Sequence, residues 1–385
     1  MRLAVFTSGR QDLGLLSPIC RAVVGTAGME LLLLAGGMHW RGGRREHLDG
    51  LRVRAWVEGL PENDREVAIA AAAGQTTAGL ARTLAGLQAD ALLVAGDRSE
   101  TLAAGLAATC LRLPLIHLHG GEETTGAIDN ACRHALTRLA HLHFVAHPSF
   151  APRLARWEVP ADRIIVTGAP ALDKLLTTEL AGETELADAI GRPLSTPLLV
   201  LTHHPATLGA DPATEFAAIL AGIRAAIARH PHALVVATRP NADAGGAVIA
   251  QQLAETAATD PRLVVVEDLG CRRYWGLLSR ASAMVGNSSS ALLEAPCFDL
   301  PAVNVGQRQG GRLRLDNVVD VPGEALAVAA ALAPILARPA VLPRQAHPTA
   351  YGDGRASARA VAALSAFARL APAARLDQRV PLGYP

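Results

Sequence analysis

The chain has 385 residues, half of them hydrophobic, with 36 basic side chains against 35 acidic ones and a formal charge of +1. That length exceeds a usual single core, so two domains are expected. Near-neutrality, the lack of a concentrated basic run and an aromatic content of 3% argue against a nucleic-acid partner. No run approaches the roughly 20 apolar residues of a membrane-spanning helix.

The chain opens on a compact apolar run, Arg2–Phe6, followed by Thr7-Ser8-Gly9-Arg10-Gln11-Asp12-Leu13-Gly14 and an apolar helical pattern. That order of strand, Gly-containing polar turn and helix starts a doubly wound α/β domain. The turn is not GxGxxG, so no dinucleotide fingerprint is present. Arg10 at the strand end is suited to phosphate by its planar fork, or is a solvated surface charge. A second strand, Leu31–Ala35, ends in Gly36-Gly37-Met38-His39, which makes His39 a candidate. Arg41 to Asp64 reads as a charged loop, and Val67–Leu87 as a helix whose alanines suit close packing on a sheet.

The most informative stretch runs from Ala91 to His134. Two short apolar runs, Ala91–Ala95 and Leu113–Leu118, end abruptly in Gly96-Asp97-Arg98 and His119-Gly120-Gly121-Glu122, with a helix-length segment between them. Such runs look like neighbouring buried parallel strands. Ligands of open α/β sheets bind outside the carboxyl ends of the strands. Asp97, Arg98, His119, Glu122 and Asp129 are therefore expected at one strand-end crevice, a set suited to acid–base work on an anionic substrate.

Phe144–Ala146 and Ile164–Val166 add two further strands, and Thr177 to Pro197 reads as an interdomain connection. A second series follows, with strands at Leu198–Leu201, Ala233–Ala237, Leu263–Val266, Ala283–Val285 and Ala302–Val305. Glu324–Ala337 reads as a helix in which Pro334 can introduce a kink or an early end, and Ala356–Leu370 as a last helix. The expected fold is α/β: two Rossmann-like domains facing a central cleft. The first spans 1–180, with 356–385 packing back onto it, and the second spans 190–350.

The second series has its own strand-end motifs. Thr202-His203-His204-Pro205 follows its first strand, and Gly286-Asn287-Ser288-Ser289-Ser290 precedes a helix carrying Glu294. Hydroxyls and N–H groups at a helix start suit an anion, or else simply cap the helix. Glu294, about one turn into that helix, is placed to accept hydrogen bonds from two ribose hydroxyls. Arg308 and Arg312 sit in a Gly-rich loop that either closes on phosphate or is a solvated turn. These features point to a nucleotide-sugar site but leave the reaction open, since a two-domain glycosyltransferase would use similar ones. The five cysteines, Cys20, Cys110, Cys132, Cys271 and Cys297, show no CxxC spacing. They indicate neither a disulfide framework nor a zinc site, and a reducing cytoplasm is the expected compartment.

The motifs TSGRQDLG, GGMH, AGDR, IHLHGGE, TGAIDNACRHALTRLAHLHF, TGAPALDKL, HHP, RPNADAGG, GNSSSALLE, NVGQRQGGR and YGDGRAS occur in order from about Leu3 to Ser357. As an ordered set they resemble the hydrolysing UDP-N-acetylglucosamine 2-epimerases, enzymes that start the synthesis of sialic-acid-type sugars. The non-hydrolysing branch tends to show GTRPE, GDT and HxEAG(L/M)R, where this chain has SGRQD, GDR and HLHGGE.

The resemblance implies a GT-B-like fold and a reaction in two stages. UDP is eliminated to leave a 2-acetamidoglucal, and water then adds to give N-acetylmannosamine. It implies no nicotinamide cofactor and no metal, and a homodimer or homotetramer. By motif, Asp97, Glu122 and Asp129 match the acid–base residues, with His119 in the same segment. His204 matches a diphosphate contact or proton-transfer group. Arg10 and Arg308 match phosphate-facing arginines, Ser288 and Ser289 diphosphate-binding serines, and Glu294 the ribose-binding glutamate. Asp12, His39, Arg98, Asn287, Ser290 and Arg312 complete the expected substrate-binding set.

The sequence departs from the family pattern at Leu13, where an aromatic is usual, at Ala291 for glycine and at Gln307 for an acid. Other readings are the same reaction on UDP- or GDP-linked 2,4-diacetamido-2,4,6-trideoxyglucose, a GT-B glycosyltransferase, or a non-catalytic nucleotide-sugar binder.

Overall fold

The computed structural model describes residues 1–125, 128–206, 211–241, 245–338 and 342–384. Gly126 and Ala127 of TGAIDN, and Ala242, Asp243 and Ala244 of RPNADAGG, lie outside the described residues. The chain forms two compact units. One comprises Met1–Glu122, Asp129–Lys174 and Ala350–Pro385, and the other Glu123–Ile128 and Leu175–Thr349.

The strands of the first unit are β1 (Arg2–Thr7), β2 (Glu30–Ala35), β3 (His47–Leu48), β4 (Leu51–Trp56), β5 (Ala91–Ala95), β6 (Leu115–Leu118), β7 (Leu142–Val145) and β8 (Ile164–Val166). Its helices are α1 (Arg10–Val24), α2 (Glu66–Leu87), α3 (Ser99–Cys110), α4 (Asp129–Leu139) and α5 (Ala151–Arg156), and α6 (Pro170–Thr177) runs on into the second unit. The eight strands pair in the order β3-β4-β2-β1-β5-β6-β7-β8, all parallel except β3 with β4.

Alternate residues of these strands face opposite layers, and both layers are covered, so the strands are nearly continuous apolar runs. Leu3, Val5, Leu33, Leu93, Ile116 and Phe144 pack with Leu16 and Ile19 of α1 and with Ala360, Leu364 and Phe367 near the C-terminus. Ala4, Phe6, Leu34, Leu92 and Val94 pack with Leu80 and Leu84 of α2, Ala104 and Ala107 of α3, and Leu136 of α4. Each leucine, isoleucine, valine or phenylalanine among them, fully buried, contributes about 1.5–3 kcal/mol.

The second unit continues with α7 (Glu183–Ile190), β9 (Leu198–Thr202), α8 (Pro212–Ala226), β10 (Leu234–Thr238), α9 (Gly246–Thr259), β11 (Leu263–Val266) and α10 (Gly270–Leu278). Then come β12 (Ala283–Gly286), α11 (Ser290–Leu293), β13 (Ala302–Val305), β14 (Val318–Val321) and α12 (Ala325–Leu336). Its all-parallel sheet has the order β11-β10-β9-β12-β13-β14. Leu199, Leu201, Val235, Val285 and Val303 pack with Phe216 and Ile219 of α8, Ile249 of α9 and Val328 of α12. The chain ends in α13 (Ala356–Arg369) and α14 (Pro372–Leu376), both in the first unit.

Four local expectations change. The expected loop from Arg41 to Asp64 contains β4, which pairs in parallel with β2. There Leu51 is buried while Arg52 and Arg54 are exposed, and the arginines disguise a strand that is half solvated. β14 was not expected either; Val319 and Asp320 are exposed on this sheet-edge strand, which removes the apolar run that marks a buried strand. Pro334 lies inside α12, which runs on to Leu336, because a missing N–H so near the end removes little of the ladder. Finally, α11 ends at Leu293 and Glu294 is its C-cap. A four-residue helix lacks the length assumed for a dipolar anion site.

In each sheet the strand order turns back at one place. β1 lies between β2 and β5, and β9 lies between β10 and β12. Those switch points are where open α/β sheets bind ligands.

Candidate active site

In the first unit the β1–α1 turn is held by Asp12. Its carboxylate accepts Ser8 N–H at 2.6 Å and Gly9 N–H at 2.8 Å, and lies 3.2 Å from Thr7 Oγ1. Thr7 Oγ1 is also 3.0 Å from His39 Nε2. Burial raises the Asp12 carboxyl above the usual range, against the opposing pull of those N–H groups and His39. Burial likewise lowers His39, partly offset by Asp12. Asp12 and His39 therefore form a buried pair that shapes the turn. Arg10, the first residue of α1, is exposed within electrostatic reach of His39. Leu13 points elsewhere, into a small cluster with Ala35 and Leu48.

The acids meet beyond β5 and β6. Asp97 follows β5, and its Oδ2 accepts from Nη2 of Arg133, which is 1% exposed. Arg133 Nη1 donates to the His119 carbonyl at 2.8 Å and stands 3.7 Å from Glu122 Oε2. Glu122 Oε1 accepts from His119 Nδ1 at 2.6 Å, so among the described residues His119 Nε2 keeps no partner. Asp97, Glu122 and His119 are thus gathered around one buried guanidinium.

The local backbone allows this. His119 takes a left-handed conformation, φ 66°, and Gly121 follows at φ 79°. A Cβ on Gly121 would stand 2.4 Å from Leu154 Cδ1 and 2.8 Å from the Phe150 carbonyl, so only glycine fits. Asp129 opens α4 one turn before Arg133. The Cys132 thiol between them is pushed up to about 11 by burial and by the Asp129, Asp97 and Glu100 carboxylates. Arg98 forks onto Glu100 through Nε and Nη2, both at 3.3 Å. Behind the acids, His117 Nε2 donates to the Gly96 carbonyl at 2.8 Å, and its Nδ1 lies 3.2 Å from Thr137 Oγ1. Burial pushes His117 down to about 4.

Sequence reasoning did not single out Arg133 or His117. For Arg133 the available signal was its i+4 spacing from Asp129, which places both on one helix face.

In the second unit, Asn287 clasps the loop after β9. Its Oδ1 accepts His204 N–H and its Nδ2 donates to the His204 carbonyl, each at 2.8 Å. Asn241 N–H donates to His204 Nδ1 at 3.1 Å, and Gln309 Nε2 donates to the Asn287 carbonyl at 2.7 Å. Gly286, φ 125°, permits the approach, since a Cβ there would lie 2.0 Å from the Thr202 carbonyl. Ser288 and Ser290 are buried, Ser289 partly so, and Ser290 Oγ accepts from Tyr274 at 2.9 Å. Trp275 Nε1 donates to Glu294 Oε1 at 2.7 Å, and burial raises the Glu294 carboxyl.

Arg308 lies within electrostatic reach of buried His203. The loop carrying Arg308 and Arg312 is tied down by Arg314, whose Nη1 reaches the carbonyls of Gln309 at 2.6 Å and Arg312 at 2.7 Å. Gln307 is exposed and Ala291 buried. No helix of the described residues is long and apolar enough to cross a membrane.

Comparison with known proteins identifies the family and the fold. The sequence profile described as UDP-N-acetylglucosamine 2-epimerase matches residues 21–365. A UDP-N,N'-diacetylbacillosamine 2-epimerase (hydrolyzing) of Legionella pneumophila is 30% identical over 93% of this chain and 94% of its own length. A UDP-N-acetylglucosamine 2-epimerase of Neisseria meningitidis serogroup B is 27% identical over 81% of each. Among solved structures, Methanocaldococcus jannaschii UDP-GlcNAc 2-epimerase in complex with UDP-GlcNAc and UDP superposes with a TM-score of 0.77. It covers 95% of this chain and 99% of that one at 15% identity, a likeness of fold. The chain belongs to the UDP-N-acetylglucosamine 2-epimerase family.

Proposed function

We propose that the protein is a hydrolysing 2-epimerase of a UDP-linked 2-acetamido sugar. The observation that carries this reading is the gathering of Asp97, Glu122 and His119 around Arg133. A carboxylate of this set takes the C2 proton while the C1–O bond breaks and UDP leaves, forming a 2-acetamidoglucal. Water then adds its hydroxyl at C1, and C2 receives a proton on the opposite face, so the free sugar has inverted C2. Such a sequence needs separate acid and base groups. Asp97 and Glu122 share these roles, Asp129 is the third acid, and the open Nε2 of His119 relays a proton to or from Glu122. Arg133 spreads the charge of the pair and fixes its geometry.

In the second unit, His204, Ser288, Ser289 and Arg308 are assigned to the diphosphate and Glu294 to the ribose. Arg10 and Arg312 add phosphate contacts, Arg98 orients the sugar, and Asn287 and Ser290 hold the loop. Asp12 and His39 act by fixing the β1–α1 turn.

Of the possible sugars, 2,4-diacetamido-2,4,6-trideoxyglucose is favoured by the Legionella relative and by a Campylobacter jejuni GDP/UDP-N,N'-diacetylbacillosamine 2-epimerase (hydrolyzing), 27% identical over 83% of this chain. N-acetylglucosamine is the second reading, favoured by the family profile and the Neisseria relative. Either product enters the synthesis of sialic-acid-type sugars, in the cytoplasm, with the enzyme as a homodimer or homotetramer.

Proton NMR in deuterated water tests the reading, with both UDP-sugars offered. Release of UDP together with a free sugar of inverted C2, deuterated at that carbon, is expected from one of them. Asp97→Asn and Glu122→Gln should each lower turnover at least about 100-fold, as loss of an acid–base group does. C2 inversion with UDP retained would overturn the hydrolytic reading, and the absence of C2 exchange on both sugars would overturn epimerisation.

A further inference from the structure

Away from these strand ends, the second unit has a cavity of about 370 Å3. It is lined by Leu175, Leu176 and Leu180 on one segment and by Arg280, Pro343 and Arg344 on others. That volume falls within the range of small-molecule sites, which carry a few fixed polar groups, and the lining is mixed, more polar than apolar.

The two arginines are the fixed groups. Arg280 Nη1 is held by the carbonyls of Ala181 at 3.3 Å and Gly276 at 3.2 Å, and by Ser279 Oγ at 3.2 Å. Arg344 Nη1 donates to the Ala281 carbonyl at 2.6 Å, and its own N–H to the Ser279 carbonyl at 2.8 Å. Both guanidiniums are thereby oriented by neutral carbonyls, with further N–H groups left over from a fork of five donors. Among the described residues neither forms an ion pair. The carboxylate in the lining, Glu179, is exposed and engages neither arginine, and Asp299, which acts on Arg344 at longer range, pairs with His347 at 3.1 Å. Burial lowers Arg344 below the usual guanidinium range, which marks a charge held partly out of water. A desolvated charge is stabilised by a close counter-charge, and among the described residues the carboxylate acting on Arg344, Asp299, does so without forming an ion pair with it.

We infer that this cavity is a second binding site, for a small organic anion with a carboxylate or phosphate group on a compact apolar body. The anionic group engages the Arg280 and Arg344 forks, and the apolar body lies on Leu175, Leu176 and Leu180. The site is independent of the epimerase reading. Its lining comes from the residues just after the chain enters the second unit at Leu175, and from those shortly before it leaves at Thr349. An occupant therefore bridges the two segments that lead to the first unit.

Calorimetric titration of the full chain tests this, with UDP present throughout and phenyl phosphate or benzoate as probe. One saturable site is expected for at least one probe, and the stronger of the two identifies the preferred anionic group. Inorganic phosphate and phenol, each lacking half of the recognition, should bind more weakly. Arg344→Gln should weaken the stronger probe about tenfold, the worth of a charge-assisted hydrogen bond. Leu176→Trp, which fills the cavity and spares both arginines, should abolish binding while thermal unfolding stays as in the parent chain. Binding of the same strength in both folded variants, or no saturable heat with either probe, would overturn the inference.

Discussion

The strand ends of the two sheets solve the same problem with different chemistry. In the first unit the groups are charged: Asp97 and Glu122 share Arg133, and His119 hangs on Glu122. In the second they are mostly neutral: Asn287 clasps His204, Gln309 clasps Asn287, and Tyr274 holds Ser290. A buried charge must be paired, whereas a buried amide needs only backbone partners. The first arrangement suits groups that must exchange protons, and the second suits groups that hold a polar ligand without changing state. The same difference sets how much each can lose. Removing the shared cation uncovers two carboxylates at once, and removing one neutral donor leaves a single unmade bond.

The largest expected effect follows from that asymmetry. Arg133→Met keeps much of the side-chain volume and removes the charge. Breaking a buried ion pair from one side typically destabilises by about 3–5 kcal/mol, so the unfolding midpoint in urea should fall accordingly. Turnover should fall with it, even at temperatures where the variant remains folded. Arg133→Lys should recover part of the stability but little of the rate, since one ammonium cannot reproduce a fork that reaches Asp97, Glu122 and the His119 carbonyl together. If Arg133→Met unfolds like the parent chain, the contrast between a charged and a neutral site is wrong.

What the sequence revealed follows the same division. Strands β1, β5 and β6 were legible because both sheet faces are covered and their side chains are apolar throughout. β4 was hidden by Arg52 and Arg54, which face water, and β14 by Asp320, which interrupts a short run of valines. The acids stood out as polar residues ending apolar runs. Arg133 did not, because it lies 36 positions from Asp97 and inside a helix. The Asn287 clasp joins residues 83 apart, a distance over which local pattern carries no information. His117 was masked by its place inside a strand, where a histidine reads as ordinary core.

A smaller effect should come from a buried histidine of the first unit as the pH falls. His117 is fully buried and pushed down to about 4 from a usual 6.5. The unfolded chain therefore takes up this proton near pH 6.5 and the folded chain only near pH 4. Stability is present above the higher value, is lost as pH falls between the two, and changes no further below the lower one. At ~1.4 kcal/mol per unit of pKa the loss is on the order of 3 kcal/mol. His117→Gln keeps a donor for the Gly96 carbonyl but cannot titrate. Its urea midpoint should fall less than that of the parent chain between pH 7 and pH 4.5. Equal slopes would mean that the imidazole is not shielded as its setting requires.

The smallest effect belongs to the mostly neutral site and asks how its carboxylate Glu294 is held. Trp275→Phe keeps a large buried aromatic and deletes the N–H that donates to Glu294 Oε1. A hydrogen bond to a charged group is worth about 1.5–3 kcal/mol, so UDP affinity should fall by at least about tenfold. Burial already raises Glu294, and loss of a donor that favours its ionised form should raise it further. The affinity deficit should therefore be greater at pH 6 than at pH 8, because the carboxyl of the variant is protonated first as the pH falls. Calorimetry with UDP and with 2'-deoxy-UDP at both values checks this. If the parent chain binds the two nucleotides equally, Glu294 does not hold the ribose. If it distinguishes them and Trp275→Phe does so equally well at both pH values, Glu294 holds the ribose without help from Trp275.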